Sequence, residues 1–391
     1  MGIIVQKYGG TSVRNPEARF ALLDHVRRCK EEGNDVVVVV SAMGRKGDAY
    51  ATDTFIKLLA DIHPRIDPKK QDMMTCCGEI ISCSLIAHWL ESQGIPAEPL
   101  TGFQAGIITD DHFSNSDIKH IDTDRVLKYL REGKIVVVAG FQGMTENMEI
   151  TTLGRGGSDT TAVALGAYLQ AERVDIFTDV PGVAVIDPRV VSNAVYHKCI
   201  SYESMYKLAE SGSKVVHAKA VQIAQKHHIP VRVRSTFSDD MGTLIDPDGY
   251  KIEKNKKIIG ISLQKEITYI KIDKKELIHF HCIKEPYALY RDQDKYIEIY
   301  CKDSSKIIEF YGNKYYELAC HKNFSQVSIF FHARYKGSLQ TDLKELITSS
   351  NIMLHDSFWF EDAVMLLVPS ENAVDYANQF YRYLEAKSYI L

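Results

Sequence analysis

The sequence lacks a charge excess: 47 Lys and Arg stand against 51 Asp and Glu, a net charge of -4. That balance gives no electrostatic footprint for nucleic acid or an anionic membrane surface, so neither is expected as a partner. Long apolar runs are missing too. No unbroken run reaches the roughly 18 residues of a membrane span. The chain opens directly on an apolar strand, Ile3 to Gln6, without the pattern of a signal peptide. Nor is there a cysteine framework. Eight cysteines are spread over 391 residues with no CxxC pair, and Cys76, Cys77 and Cys83 stand in an apolar helical context. This excludes a disulfide scaffold and argues against zinc. Reduced, buried thiols and a cytoplasmic location are expected instead. Glycine is scarce in one region only: of 24, just Gly260, Gly312 and Gly337 lie beyond residue 250, where tyrosines become denser. The turn-rich Asp246-Pro247-Asp248-Gly249 marks the change and divides the chain into 1–248 and 249–391.

What is present before that boundary is an alternation of strands and helices. Asp35 to Ser41 contains five consecutive valines, the signature of a central parallel strand buried on both faces. Further strands are expected at Ile107–Thr109, Ile135–Ala139, Val174–Asp179 and Pro230–Arg234, with a short hairpin near Val180 to Val183. Helical spacing covers Gln71 to Gln93, Tyr202 to Glu210 and Ala218 to Lys226. The fold class is therefore α/β with a mostly parallel sheet. The chain then closes as a ferredoxin-like βαββα unit: strand Val327–Phe331, helix Leu339–Ser349, strands Asn351–Phe358 and Ala363–Val368, helix Asn372–Ala386. Lys257 to Cys320 offers strands but no clear helix, a degenerate copy of the same unit.

Several strands run into glycine turns that carry charge. Thr151 to Val163 holds Arg155, Gly156, Gly157, Ser158 and Asp159 just before an apolar helix, with Ser158 or Asp159 expected as its N-cap. Adjacent glycines admit a ligand close to the backbone, and a helix start favours anions. Arg155 is suited to fork onto a carboxylate or phosphate, and Asp159 to bind Mg²⁺ or steer a nucleophile. Lys7 precedes Gly9-Gly10-Thr11-Ser12, an arrangement that cradles phosphate although it is not a Walker A loop. Ser41 stands at the C-terminal end of the valine strand, where open α/β sheets bind ligands. Thr52 lies in the following loop, and Glu79 interrupts an apolar helical face. Singly, each has a plain alternative: a capped helix after a glycine turn, a surface lysine, a solvated glutamate.

Taken in order, the motifs resemble the aspartokinase family of the amino-acid kinase superfamily. The carriers are Lys7-Tyr8-Gly9-Gly10-Thr11-Ser12-Val13, Val40-Ser41-Ala42-Met43-Gly44, Gly78-Glu79, Gly140-Phe141-Gln142-Gly143, Thr152 to Thr161, Thr178-Asp179-Val180-Pro181-Gly182-Val183, Asp187-Pro188-Arg189 and Ser211 to Val215. Arg45 to Thr54 is most similar to the diaminopimelate-sensitive enzymes of Gram-positive bacteria. The resemblance implies an amino-acid-kinase fold over 1–248 and tandem ACT-like regulatory units over 249–391, the first of them degenerate. It also implies ATP-dependent phosphorylation of the side-chain carboxylate of L-aspartate, the first step of the aspartate-family (lysine) pathway, with ATP and Mg²⁺ as cofactors and a homodimer formed through the C-terminal region.

Site roles follow from the same resemblance. Lys7 and Asp159 are expected to be catalytic. Ser41, Thr52, Glu79, Arg155 and Ser158 would form the amino-acid pocket. Lys7, Gly9, Gly10, Ser12, Thr178, Asp179, Asp187, Arg189 and Lys214 would bind nucleotide, and no residue is assigned to a resident metal. Three positions depart from the family pattern: Met148 stands where glycine is common, Ala184 where an aromatic is common, and Ala218 where proline is usual. Two other readings fit the same charges. One is a kinase for glutamate or a modified aspartate; the other is a silent amino-acid sensor.

Overall fold

A computed structural model describes residues 2–213, 215–249, 251, 256–273, 289–302 and 319–390. The chain forms two compact units. One comprises Met1–Val183, Tyr196–Tyr206 and Lys214–Ile252; the other comprises Ala184–Val195, Lys207–Ser213 and Glu253–Leu391. Two short stretches before residue 248 thus belong to the second unit.

The first unit follows the order β1 (Ile3–Tyr8), α1 (Pro16–Glu31), β2 (Asp35–Val40), α2 (Thr52–Ile62), α3 (Pro68–Thr75), α4 (Cys77–Ser92), β3 (Ala97–Leu100), β4 (Ile107–Thr109), β5 (Ile118–Ile121), α5 (Asp124–Arg131), β6 (Ile135–Ala139), β7 (Gln142–Thr145), β8 (Ile150–Thr152), α6 (Gly157–Tyr168) and β9 (Arg173–Thr178). It continues through β10 (Cys199–Ile200), α7 (Tyr202–Glu210, whose last residues belong to the second unit), α8 (Ala218–His227), β11 (Val231–Ser235) and β12 (Thr243–Ile245). Eight strands make one sheet in the order β10-β12-β11-β9-β1-β2-β6-β3. All neighbours pair in parallel except β11 with β12. From β1 the chain builds outward to β2 on one side and later to β9 on the other. The C-terminal ends of β1 and β9 therefore flank the crevice where doubly wound sheets bind ligands.

Both faces of this sheet are covered. Leu22, Leu23, Val26 and Cys29 of α1 and Cys83, Ile86, Ala87 and Leu90 of α4 pack on alternate residues of β1, β2 and β6. All five valines of β2 are fully buried. At roughly 1.5–3 kcal/mol per buried side chain, this strand alone is a large part of the core's stability. Helix α6 covers the other face and is buried from Gly157 to Gly166, so its N-terminus is rigidly aimed. A smaller sheet, β5-β4-β7-β8, carries the hairpin that leads into α6.

In the second unit β13 (Ile258–Asp273), β14 (Leu289–Asp292), β15 (Tyr296–Cys301), β16 (Ala319–Phe331), α9 (Lys336–Ser349), β17 (Asp356–Trp359), β18 (Ala363–Pro369) and α10 (Ala373–Ala386) form a six-stranded sheet, order β14-β15-β13-β16-β18-β17. Its described strands pair antiparallel. Leu339, Leu343 and Leu346 of α9 and Tyr376, Ala377, Phe380, Tyr381 and Leu384 of α10 close one core over it, joined by Val185, Ile186 and Val191. The βαββα order is that read from the sequence, and several bounds move. The strand expected from Asn351 starts only at Asp356, and Val327–Phe331 is the end of a 13-residue strand.

Other local expectations are corrected. Strand β1 runs on to Tyr8 because it has parallel partners on both sides, so Lys7 lies inside it. No strand forms at residues 180–183, where the Val183 amide bonds instead to Thr243 Oγ1 at 2.9 Å. The stretch Pro68–Ser92 holds an 18-residue window apolar enough to cross a membrane, with mean hydropathy 1.3, although no unbroken apolar run signals it; half of that window is buried in the protein. It behaves as a core helix, with α4 packed on the sheet. Met148, at the exposed turn before β8, adopts φ +62°, which gives the physical reason a glycine suits that position.

Candidate active site

The site begins at the end of β1. Lys7 Nζ lies 2.7 Å from Asp159 Oδ1, both side chains nearly buried at 13% and 11% exposure. The contact is ionic and lacks hydrogen-bond angles, so Asp159 Oδ1 keeps its capacity to accept. Next comes the glycine loop. A Cβ on Gly10 would stand 2.5 Å from the carbonyl oxygens of Ala42 and Gly44, so only glycine lets this loop close on the loop after β2. The Gly44 amide donates to Gly10 O at 3.1 Å, and the Ser41 amide to Tyr8 O at 3.1 Å.

Helix α6 points its start at the same place. Its N-cap is Gly156, in the left-handed region at φ +68°, and not Ser158 or Asp159, which lie in the first turn. The reason is tertiary: His217 Cβ would be 2.3 Å from any Cβ at 156, leaving room only for glycine. The displaced cap puts Asp159 in the first turn, where a carboxylate is favoured by the dipole and faces Lys7. The Ser158 amide has no partner among the described residues. Arg155, just outside the cap, is exposed and unpaired among the described residues.

Glu79 completes the charge pattern. It is 3% exposed. Its Oε1 accepts the Ala42 amide at 3.0 Å, while its buried Oε2 has no partner. Burial pushes this carboxyl up to about 8, although the Ala42 and Glu79 amides and the Lys7 charge pull the other way. Once this carboxyl is ionised, its unused oxygen is suited to accept from an ammonium group.

The sequence-expected residues are thus distributed as follows. Lys7 and Asp159 touch. Gly10 abuts the Ala42–Gly44 loop, which follows Ser41 and receives Glu79. A Cβ on Gly140 would meet Ser158 at 2.9 Å, so Ser158 sits against the end of β6. Thr52 is half-buried as the first residue of α2, and Gly9 leads the loop beside Lys7. Ser12 is turned inward: its amide donates to Gly9 O at 2.8 Å and its hydroxyl lies 2.6 Å from Thr236 Oγ1. Thr178 ends β9, and Asp179 pairs with Arg45. Asp187 and Arg189 lie in the second unit and pair with each other at 2.5 Å. Lys214 lies outside the described residues.

Three contributors escaped the sequence reading. Thr236 joins the phosphate-loop side to β9: its amide donates to Thr178 O at 2.8 Å, and its carbonyl meets His25 Nε2 at 3.0 Å. Arg45 and Asp72 are the others. A short Ser-Thr pair after a predicted strand was the available signal for Thr236, and a carboxylate at the start of the helical spacing from Gln71 was the signal for Asp72. Among the described residues no group of three metal-binding side chains occurs.

Comparison with known proteins gives a consistent result. The amino acid kinase family matches residues 2–235. Aspartokinase 1 of Bacillus subtilis (strain 168) is 46% identical over 279 residues, 70% of this chain and 69% of that protein. An aspartokinase of Bacillus sp. (strain MGA3) is 46% identical over 272 residues, 70% of this chain and 65% of that protein. Among solved structures, E. coli aspartokinase III in complex with aspartate and ADP superposes with a TM-score of 0.81 at 21% identity, over 98% of this chain and 99% of that one. At that identity the superposition speaks for the fold.

Proposed function

This chain belongs to the aspartokinase family, ATP-dependent kinases of aspartate, and from that premise we propose how its own residues carry the transfer of the γ-phosphoryl group to the β-carboxylate. The observation that carries the reading is the Lys7–Asp159 pair, set at the end of β1 between a glycine loop and a helix start.

Phosphoryl transfer asks for positioning and charge neutralisation more than for covalent help. Lys7 meets the charge that builds on the transferring group, and Asp159 fixes its ammonium in place. The amides of the Gly9-Gly10 loop and the open Ser158 amide offer donors to phosphate oxygens. L-Aspartate brings two carboxylates and an ammonium. Arg155 takes a carboxylate through its two parallel N–H groups, Glu79 receives the ammonium on its unused oxygen, and Ser41, Thr52 and Ser158 fill out the pocket. The β-carboxylate is then directed at Lys7, where an attacking oxygen and the phosphoryl group can lie in line. Thr178, Asp179, Asp187, Arg189 and Lys214 are assigned to the nucleotide. Mg²⁺ would arrive on the ATP phosphates and would neutralise phosphate charge.

We assign 1–248 to catalysis and 249–391 to regulation and to formation of a homodimer, and place the protein in the cytoplasm. Coupled ADP release tests the substrate. ADP should form with L-aspartate and stay at background with L-glutamate or no amino acid; equal rates with glutamate would overturn the acceptor assignment.

A further inference from the structure

Asp72 is a carboxylate with no solvent exposure and, among the described residues, no cation partner. Four donors hold it instead. Its Oδ2 accepts two backbone amides, Ser114 at 2.8 Å and Thr152 at 2.9 Å. Its Oδ1 accepts two hydroxyls, Ser114 at 3.2 Å and Thr152 at 2.7 Å. A buried charge on this scale is tolerated only where every lone pair is used, and here each is used on one of two segments.

Both segments border Arg155. Thr152 is the last residue of β8, three positions before Arg155, and its carbonyl accepts the Ser116 amide at 2.9 Å. Ser114 adopts φ +68°, a conformation unfavourable for a residue with a side chain, and its amide and hydroxyl are both spent on Asp72. The next residue, Asn115, packs on Gly154: a Cβ there would lie 2.6 Å from Asn115 Oδ1. One carboxylate on α3 therefore fixes the strand that delivers Arg155 and the wall that shapes its turn.

We propose that Asp72 is a positioning residue for the amino-acid pocket: it sets the Thr152–Arg155 backbone and so the direction of the Arg155 guanidinium. This rests on the assignment of Arg155 to aspartate. Specific placement matters because a misdirected bidentate donor loses its second hydrogen bond and with it the preference for a planar carboxylate.

The donor arrangement supplies its own control. Asparagine can keep its oxygen toward the two amides and present its NH₂ to the two hydroxyls, which can rotate to accept. Asp72→Asn should therefore preserve the geometry, while Asp72→Ala strands all four donors. In the full-length protein Asp72→Ala should raise the aspartate KM at least tenfold with the ATP KM within about twofold, and Asp72→Asn should restore it to within about threefold of wild type. A purely structural role would lower the melting temperature and the active fraction and leave the aspartate KM alone. That result, or equal rises in both KM values, overturns the proposal. Should Asp72→Ala fail to fold, Thr152→Val decides: it removes only the 2.7 Å hydroxyl contact, and an unchanged aspartate KM refutes the idea. Arg155→Lys is measured alongside. If it leaves the aspartate KM unmoved, the Arg155 assignment fails and takes this proposal with it; if it moves KM and Asp72→Ala does not, only the present proposal fails.

Discussion

Glu79 makes the pH dependence of substrate binding calculable. Its carboxyl lies at about 8 in the ligand-free protein, raised from 4.5 by burial. If only the ionised form receives the substrate ammonium, the competent fraction is about one half at pH 8 and about one hundredth at pH 6. The aspartate carboxylates stay ionised across this range. The aspartate KM should therefore rise roughly fiftyfold as pH falls from 8 to 6, with saturating ATP and ADP release as the readout. Glu79→Gln should bind aspartate weakly and show no slope over that interval.

Stability should move the opposite way. A folded-state value above the unfolded one means that the contribution of Glu79 is intact below about 4.5 and is lost as pH rises toward about 8. At about 1.4 kcal/mol per pH unit, ionised Glu79 costs the ligand-free fold roughly 5 kcal/mol at and above pH 8. Glutamine avoids that cost but buries an unpaired NH₂, at about 1–3 kcal/mol. Glu79→Gln should thus melt several degrees above wild type at pH 8, with the difference closing toward pH 5. A wild-type aspartate KM that changes less than threefold between pH 6 and 8, or a Glu79→Gln variant that melts below wild type at pH 8, would refute the reasoning.

Other expectations are simpler. Lys7→Met should fold and lose turnover by on the order of 10²–10³, the usual worth of a preorganised charge; retention of a tenth of wild-type turnover would remove Lys7 from the chemistry. Arg155→Lys should weaken aspartate binding by roughly 1.5–3 kcal/mol and leave the ATP KM nearly unchanged; the reverse pattern would move Arg155 to the nucleotide. Light scattering of the full chain should give twice the 44.2 kDa monomer mass, and a monomer would refute the dimer. Inhibition by lysine, threonine or diaminopimelate at subsaturating aspartate should be weak or absent, because the first of the two expected regulatory units is degenerate; strong, saturable inhibition by any of them contradicts this.

Period and composition alone determined the alternation of strands and helices, the five-valine central strand, the βαββα ending and the order of the glycine turns. Each of these is written within a short segment, where side-chain period and turn chemistry act locally. Lys7, Arg155 and Asp159 were readable as candidates for the same reason, as charges beside glycine turns, whereas Glu79 stands within a helix and its expected role came from the family resemblance. Tertiary structure decided the rest. Gly156 became the cap because His217, 61 positions on, occupies the space a side chain would need. Glu79 acquired its raised value only through burial beneath the Ala42 loop. Ser12 and Thr236 meet across 224 positions, and Asp72 and Thr152 across 80. Desolvation and long-range hydrogen bonding depend on what lies across the fold, and a linear pattern does not record that.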